Sequence, residues 1–299
     1  MLGFSYHRQS LLISLTIALA GWTCAASAES VLDRIAKRHA IILGYTAASP
    51  PMSYLGPDKQ PIGYTTDLCR AIAEHLRIHT DKPDLDMRFL RIELDTRARL
   101  IKDGSIDLVC NGTSNTAVRQ SRFAFSPTVY VTETRLVTKA DSPTQSLQDL
   151  RGKQVVVSAG STAQQTLEAI AQEMDFKLSV ARSNDAAFDQ LLLGWAQAFA
   201  LDDVVLDGLI VTSRNPAKYH LLPDVLKREA IGIAFAPGDE EFARVVRDAV
   251  VGMMESGGLE RLYRKWFEGP IPPFDHTIGR PMSDDLKALI AAPNNLPIQ

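Results

Sequence analysis

The chain has 299 residues, of which 45% are hydrophobic and 22% are charged, and its formal net charge is −3. A mildly acidic chain without long basic runs has no electrostatic footprint for nucleic acid, so no nucleic-acid partner is predicted. The length exceeds what one hydrophobic core usually organises, which predicts two lobes of ordinary size.

Residues 1–28 are predicted to be a secretory signal peptide. Arg8 precedes an apolar run over residues 11–21, and the small residues 26–28 form a cleavage site. The apolar run is too short to span a bilayer as a stable helix. Cys24 offers lipidation as an alternative, but the residues before it match that processing context poorly. We therefore expect cleavage after residue 28 and an exported protein.

After residue 28 the predicted strands and helices alternate, which is typical of a parallel sheet. The predicted strands cover residues 38–44, 87–92, 106–110, 154–158, 178–181, 197–201 and 229–236. One predicted helix begins after residues 63–66, and the others cover residues 96–102, 162–173, 185–193, 240–254 and 259–266. The tail from Gly269 is predicted to form a strap over the surface.

The stretch 104–125 places a polar segment directly after a buried strand. Residues 106–110 are apolar, residues 111–116 are small and polar, and Arg119 follows. Ligands of open α/β sheets bind outside the carboxyl ends of strands, and arginine is the donor best matched to a carboxylate. The pattern therefore predicts an anion-binding loop. A Ser/Thr-rich turn followed by a surface arginine is the alternative.

A second polar turn opens the helix at Ser161 and Thr162, and a third polar position is the pair Asp202 and Asp203 after an apolar strand. The amino end of a helix favours an anion, although plain capping would use the same two hydroxyl residues. Asp203 is the more natural helix cap, which leaves Asp202 for a ligand. Polar loops from two lobes predict a ligand-binding cleft between them.

The chain resembles the periplasmic amino-acid-binding proteins of ABC importers, solute-binding protein family 3. The matching segments are GYTTDLCRAIAEHL (63–76), RARLIKDGSIDLVCNGTSNTAVRQSRFAFSPTVYV (97–131), LRGKQVVVSAGSTAQQTL (150–167), AFALDDVVLDGL (198–209) and residues 232–267. KWFEGPIPPF and MSDDLKALI near the end are most similar to the glutamate/aspartate-binding branch.

This resemblance implies an α/β, two-lobed periplasmic-binding-protein-like (type II) fold, with two parallel-core sheets joined by a two-strand hinge. Lobe 1 would comprise residues 29–131 plus 232–299, and lobe 2 residues 132–231. It also implies a periplasmic monomer without a cofactor, which closes on an amino acid. The implied partner is the membrane permease of an ABC transporter.

The resemblance assigns roles to several residues. Arg119 corresponds to the arginine that binds the ligand carboxylate, Ser114 to the assisting hydroxyl, and Asp202 to the aspartate that binds the ammonium. Ser161 and Thr162 correspond to the turn that borders the carboxylate. Two neighbouring positions complete this predicted set, Gly112 and Ser158.

The predicted side-chain pocket departs from the glutamate/aspartate pattern. Thr46, Asn184 and Leu94 stand where that branch has an arginine, a histidine and a serine, whereas Arg97 matches its other arginine. One arginine can still bind an acidic side chain, while Thr46 and Asn184 could hydrogen-bond an amide or a hydroxyl. The expected ligand is an acidic amino acid first and a polar neutral one second.

Three alternatives concern chemistry. The same fold hosts cyclohexadienyl and arogenate dehydratases, but no pocket acid stands out for that reaction, so the chain is predicted not to be an enzyme. His75 and His79 have helical spacing for a metal, but without a third ligand we predict none. Cys69 and Cys110 are equally compatible with a disulfide and with two buried thiols.

Overall fold

The computed structural model describes residues 1–3 and 29–298. Apart from its first three residues, the predicted signal peptide lies outside the described residues. The helices are α1 (Val31–Arg38), α2 (Tyr64–His79), α3 (Arg97–Lys102), α4 (Ala117–Gln120), α5 (Thr162–Ile170), α6 (Asn184–Leu193), α7 (Asp203–Val211), α8 (Glu240–Glu255), α9 (Gly258–Tyr263) and α10 (Asp284–Ala291). The strands are β1 (Ala40–Tyr45), β2 (Ala48–Ser49), β3 (Ser53–Leu55), β4 (Pro61–Ile62), β5 (Asp86–Arg91), β6 (Leu108–Asn115), β7 (Ala124–Phe125), β8 (Tyr130–Lys139), β9 (Gln154–Ser158), β10 (Lys177–Ala181), β11 (Ala198–Asp202), β12 (Tyr219–Leu221) and β13 (Lys227–Phe235).

One large sheet contains two parallel groups of strands. Its order is β10-β9-β11-β8-β13-β6-β1-β5, with β12 added at β8 and β7 at β13. The strands β10, β9 and β11 are parallel at one end, and β6, β1 and β5 are parallel at the other. Between them β8 and β13 run antiparallel to each other and to their outer neighbours. This arrangement confirms the predicted α/β fold with two parallel cores joined by two strands.

We call the part built on β6, β1 and β5 the β1 half, and the part built on β10, β9 and β11 the β9 half. Helices α1, α2, α3, α8 and α9 pack in the β1 half, together with the small antiparallel sheet β2-β3-β4. Helices α5, α6 and α7 pack in the β9 half. Parallel strands covered on both faces consist of apolar runs, and Val155 to Val157 of β9 are fully buried accordingly.

The predicted lobe boundaries fall inside the two joining strands. Val131 of β8 lies opposite Ala230 of β13, and Tyr130 lies opposite Ile231. A change in the backbone angles of these few paired residues would move one half relative to the other. The division into lobes at residues 131/132 and 231/232 remains a prediction.

The polar segment after residue 110 is not the loop that the sequence predicts. Strand β6 continues to Asn115, and Thr113, Ser114 and Asn115 pair with residues 232, 231 and 230 of β13. Gly112 has a φ of +74°, and the pairing register of β13 shifts beyond it. The prediction was wrong because β13 returns beside β6 from far along the chain and provides partners for its backbone.

Two long-range connections hold these elements together. A disulfide joins Cys69 of α2 to Cys110 of β6, with the Cα atoms 6.0 Å apart. The tail after residue 269 contains α10, and Arg280 before it forms ion pairs with Asp203 and Asp207 of α7. The tail therefore contacts the β9 half. None of the helices in the described part of the chain has the length and apolarity needed to cross a bilayer.

Candidate functional site

A cavity lies between the β1 half and the β9 half, at the carboxyl ends of the parallel strands. The side chains that line it leave about 20 Å³ of free space. Nine of the predicted site residues line it: Leu94, Arg97, Gly112, Ser114, Arg119, Ser161, Thr162, Asn184 and Asp202. The structure therefore brings together residues that are far apart in the chain, and their binding roles remain predictions.

Two arginines from the β1 half point at the same atom of the β9 half. Arg97 begins α3 and Arg119 lies in α4, and their exposed fractions are only 5% and 6%. Each donates a hydrogen bond of 3.0 Å to the carbonyl oxygen of Gly160, and Arg119 also donates to that of Ser114 at 3.1 Å. Within the described residues no carboxylate lies within ion-pair distance of either guanidinium.

Burial lowers the pKa of both guanidinium groups, because it disfavours their charged form. Burial lowers the pKa of Arg97 well below its usual value, and the neighbouring charge of Arg119 lowers it further. Burial also lowers the pKa of Arg119, against the opposing effect of the negative charges of Glu229 and Asp202. Arg97 and Arg119 are both buried and bonded only to carbonyl oxygens, so no carboxylate neutralises their charge. A bound anion would therefore stabilise both.

Asp202 ends β11 and faces the arginines across the cavity. Its Oδ1 atom is buried and has no hydrogen-bond partner in the part of the chain that the structure describes. Burial raises the pKa of its carboxyl group to about 7, repulsion by Glu229 adds to the rise, and Arg119 opposes it. A carboxylate in this position would be stabilised by a ligand cation.

Asp203 is the first residue of α7 and not the N-cap residue that the sequence predicts, although its Oδ1 accepts a hydrogen bond from the amide of Val204 at 2.8 Å. Asp202 itself occupies the N-cap position of α7 without making a side-chain capping bond. The Asp203 carboxylate accepts hydrogen bonds from Thr132 Oγ1 at 2.7 Å and from the amide of Glu133 at 3.1 Å, and it pairs with Arg280. Asp203 therefore connects α7 to strand β8 and to the tail. Its cation partner comes from the tail, far along the chain, so the residues around Asp203 do not predict this role.

Ser161 and Thr162 of the turn before α5 line the cavity, and their hydroxyl groups have partners within the protein. Ser161 Oγ accepts from the amide of Gln164 at 3.0 Å and donates to the carbonyl of Ser158 at 2.7 Å. Thr162 Oγ1 donates to Glu229 Oε2 at 2.6 Å. The amides of Gly160 and Ser161 donate to Gln164 Oε1 and to the carbonyl of Ser158, so an anion here would be bound by the first amides of α5, which have no intrahelical acceptor.

Asn184 at the start of α6 contacts the β1 half through a chain of polar groups. Its Nδ2 donates to Ser49 Oγ at 2.9 Å, and Thr46 Oγ1 lies 3.0 Å from the same oxygen. Thr46 therefore lies behind Ser49 and lines a neighbouring pocket. Ser158 lies outside the cavity lining as well, with a buried hydroxyl group that has no partner.

Sequence reasoning missed several residues at this site. Ser49, Asn111, Leu201 and Val205 also line the cavity, and Glu229 of β13 is 1% exposed beside it. One Glu229 oxygen accepts from Thr162 and the other lies 2.8 Å from Lys227 Nζ. Glu229 follows the charged residues Lys227 and Arg228 at the start of β13, so no local signal in the sequence distinguishes it from them.

The polar atoms around the cavity are incompletely paired. Among the described residues, four buried atoms in or beside the cavity lining have neither a hydrogen-bond partner nor an ion pair: Asn111 Nδ2, Ser158 Oγ, Asn184 Oδ1 and Asp202 Oδ1. Buried polar atoms without partners are rare in folded proteins, so a cluster of them marks a place where a ligand or water completes the bonding. Within the described residues no group of three or more His, Cys, Asp or Glu side chains is placed to hold a metal ion.

Proteins similar to this chain are bacterial solute-binding proteins. The model of the bacterial extracellular solute-binding proteins, family 3, matches residues 41–269. The glutamate/aspartate import solute-binding protein of Salmonella typhimurium is 34% identical over 273 residues, which cover 91% of this chain and 90% of that protein. The L-glutamate/L-aspartate-binding protein of Pseudomonas aeruginosa is 33% identical over 291 residues, 96% of each chain.

A solved structure gives the same result for the fold. An ancestral arginine-binding protein bound to arginine has a TM-score of 0.70 at 26% identity, and the match covers 77% of this chain and 99% of that one. The family model and the relatives together confirm the resemblance found in the sequence motifs. The chain belongs to the bacterial extracellular solute-binding proteins, family 3.

Proposed function

We propose that the protein binds an acidic amino acid, glutamate or aspartate, in the cavity between its halves and delivers it to the membrane permease of an ABC importer. The observation that carries the proposal is the set of unpaired charges at the cavity. Among the described residues, Arg97 and Arg119 have no carboxylate partner and Asp202 Oδ1 has no hydrogen-bond partner. Glu229 is already paired with Lys227.

This set of charges complements an acidic amino acid. Such a ligand carries two carboxylates and one ammonium group, which would pair with two guanidinium groups and one carboxylate. Arg119 binds the α-carboxylate with help from Ser114 and the turn at Ser161, Arg97 binds the side-chain carboxylate, and Asp202 binds the ammonium. Two relatives that are 33–34% identical to this chain have names that specify glutamate and aspartate, which supports the same ligand class.

Binding would couple the ligand to the movement of the two lobes, 29–131 plus 232–299 and 132–231. Arg119 lies in the first lobe and Asp202 in the second, so both contact one ligand only when the lobes are closed. The ligand therefore shifts an equilibrium between open and closed forms toward the closed form. We place the protein in the periplasm as a monomer, where closure would present it to the permease.

Calorimetry on the purified protein tests this proposal. Glutamate or aspartate should bind, whereas lysine and leucine should not, and Arg119→Ala should abolish the binding. Arg122→Ala is the matched control, because Arg122 is exposed three residues further on, and its affinity should stay within a few-fold of wild type. Unchanged affinity in the Arg119→Ala variant would show that the carboxylate is bound elsewhere.

The raised pKa of Asp202 also suits a general acid, which keeps a dehydratase as the second candidate. In that case the protein would convert prephenate or arogenate rather than bind and release an amino acid. We favour transport because the named relatives are import and binding proteins. Turnover of prephenate or arogenate by the wild-type protein, lost in an Asp202→Asn variant, would reverse this choice.

A further inference from the structure

Gly208 is a point where the backbones of the two halves touch without an intervening side chain. It lies inside α7 of the β9 half and is buried. A Cβ atom placed on Gly208 would be 1.9 Å from the carbonyl oxygen of Pro50 and 2.4 Å from its carbonyl carbon. Real Cβ atoms do not approach backbone atoms that closely, so only glycine is compatible with this arrangement.

The Pro50 side of the contact is held firmly within the β1 half. Pro50 lies in the turn between β2 and β3, and the next two residues are fixed to the start of α2. The amide of Tyr64 donates to Pro51 O at 2.8 Å, and Thr65 donates to Met52 O through its amide at 3.0 Å and its hydroxyl at 2.8 Å. The turn therefore cannot move aside without losing these bonds, and a side chain at position 208 would move α7 instead.

The displacement needed is large relative to the contacts across the cavity. Ordinary van der Waals contact begins at 3.4 Å, so a Cβ at position 208 requires a separation of about 1.5 Å (3.4 minus 1.9). The hydrogen bonds from Arg97 to Gly160 and from Asn184 to Ser49 are 3.0 and 2.9 Å long. A separation of that size exceeds the tolerance of hydrogen bonds, which weaken beyond about 3.2 Å.

We propose that Gly208 sets how far the two halves close on a bound amino acid. The proposal rests on the proposed function, in which both halves must reach one ligand. Gly208 does not line the cavity, so it is a positioning residue that acts through the separation of the halves. A helix interior ordinarily favours alanine over glycine, so the fold of α7 itself does not require glycine at this position.

The test compares Gly208→Ala with Gly252→Ala. Gly252 lies inside α8 and a Cβ there would meet nothing within 4 Å, so both variants gain the same helix preference but only one meets a neighbour. For each protein, calorimetry gives the Kd for glutamate and aspartate, and thermal unfolding without ligand gives the stability of the fold. Small-angle X-ray scattering measures contraction with glutamate, with aspartate and with an equimolar mixture of the twenty amino acids.

We expect wild-type protein and Gly252→Ala to contract alike on addition of ligand. Gly208→Ala should contract less, its Kd should rise at least tenfold, and its unfolding temperature without ligand should not fall. Equal contraction and equal Kd in Gly208→Ala would overturn the proposal. A lowered unfolding temperature without ligand would also overturn it, because the contact would then belong to the fold and not to closure.

The wild-type measurements separate this proposal from the proposed function. If wild-type protein contracts with the mixture but not with glutamate or aspartate, the acidic ligand is wrong, and the mixture still decides the role of Gly208. If wild-type protein contracts with none of the three, closure on an amino acid fails and the role of Gly208 fails with it.

Discussion

Replacing Asp202 by asparagine should abolish ligand binding and at the same time stabilise the ligand-free protein. The Asp202 carboxyl group has a pKa of about 7 in the folded chain against an ordinary value of 3.8, because burial and Glu229 disfavour its charge. One pKa unit corresponds to about 1.4 kcal/mol, so ionising this group in the closed, ligand-free protein costs up to about 4 kcal/mol. Water that enters the open cleft reduces the effect, and we expect about 1–4 kcal/mol.

The sign of the pH dependence follows from the raised pKa. Between about pH 4 and pH 7 the folded protein holds one proton more at Asp202 than the unfolded chain does. The free energy of unfolding of wild-type protein therefore falls as pH rises through this range, and the deficit remains above pH 7. Asparagine cannot ionise, so the Asp202→Asn variant lacks this loss.

Urea unfolding at pH 4.5, 6 and 8 measures the effect, after bound ligand has been removed by unfolding and refolding. The difference in the free energy of unfolding between Asp202→Asn and wild type should grow with pH in favour of the variant. Taking this difference removes the contribution of the other titrating groups. A difference that is independent of pH, or a variant less stable than wild type at pH 8, would refute the reasoning.

Asp203→Asn is the matched control at the adjacent position. The Asp203 carboxylate has partners on Thr132, on the amides of Glu133 and Val204 and on Arg280, and loss of its charge weakens all of them. We expect this variant to be about 1–3 kcal/mol less stable than wild type while its affinity for ligand changes only a few-fold. Opposite effects on stability from two neighbouring aspartates would separate the ligand-binding carboxylate from the structural one.

Arg97→Gln should raise the Kd for glutamate about 30-fold or more, because a buried charge-assisted pair typically contributes 2–5 kcal/mol, and should change the Kd for glutamine far less. Calorimetry with the exposed Arg99→Ala variant as control tests this, and equal losses for both ligands would contradict the assignment of Arg97 to the side chain. Reducing the Cys69–Cys110 disulfide should lower the free energy of unfolding by about 2–4 kcal/mol, because the bridge closes a loop with a sequence separation of 41. Urea unfolding with and without a phosphine reductant measures it, and coincident curves would contradict the expectation.

Much of the fold could be predicted because its signals are local. Neighbouring residues are enough to predict the apolar strand β9, the helix that begins after Ser161 and the alternation of strands and helices. The extension of β6 through Asn115 could not be predicted in this way, because the partner strand β13 lies more than 100 residues later. The disulfide was undecided for the same reason, since only packing of α2 on β6 brings the two cysteines together.

The residue types at the candidate site were determined by the sequence alone. Arg119 and Asp202 follow apolar strands in the sequence, and the resemblance to the family implied a ligand with both a carboxylate and an ammonium group. Only the tertiary structure decided which of these charges lack partners. The sequence assigned Asp202 to a ligand only because Asp203 suits helix capping, whereas the structure separates them physically: Arg280 from the tail pairs with Asp203, and Asp202 Oδ1 has no hydrogen-bond partner among the described residues. Likewise, nothing in the sequence distinguishes Gly208 from the other glycines. Its close approach to Pro50 exists only in the folded protein, because the distance between the two backbones depends on how the two halves pack.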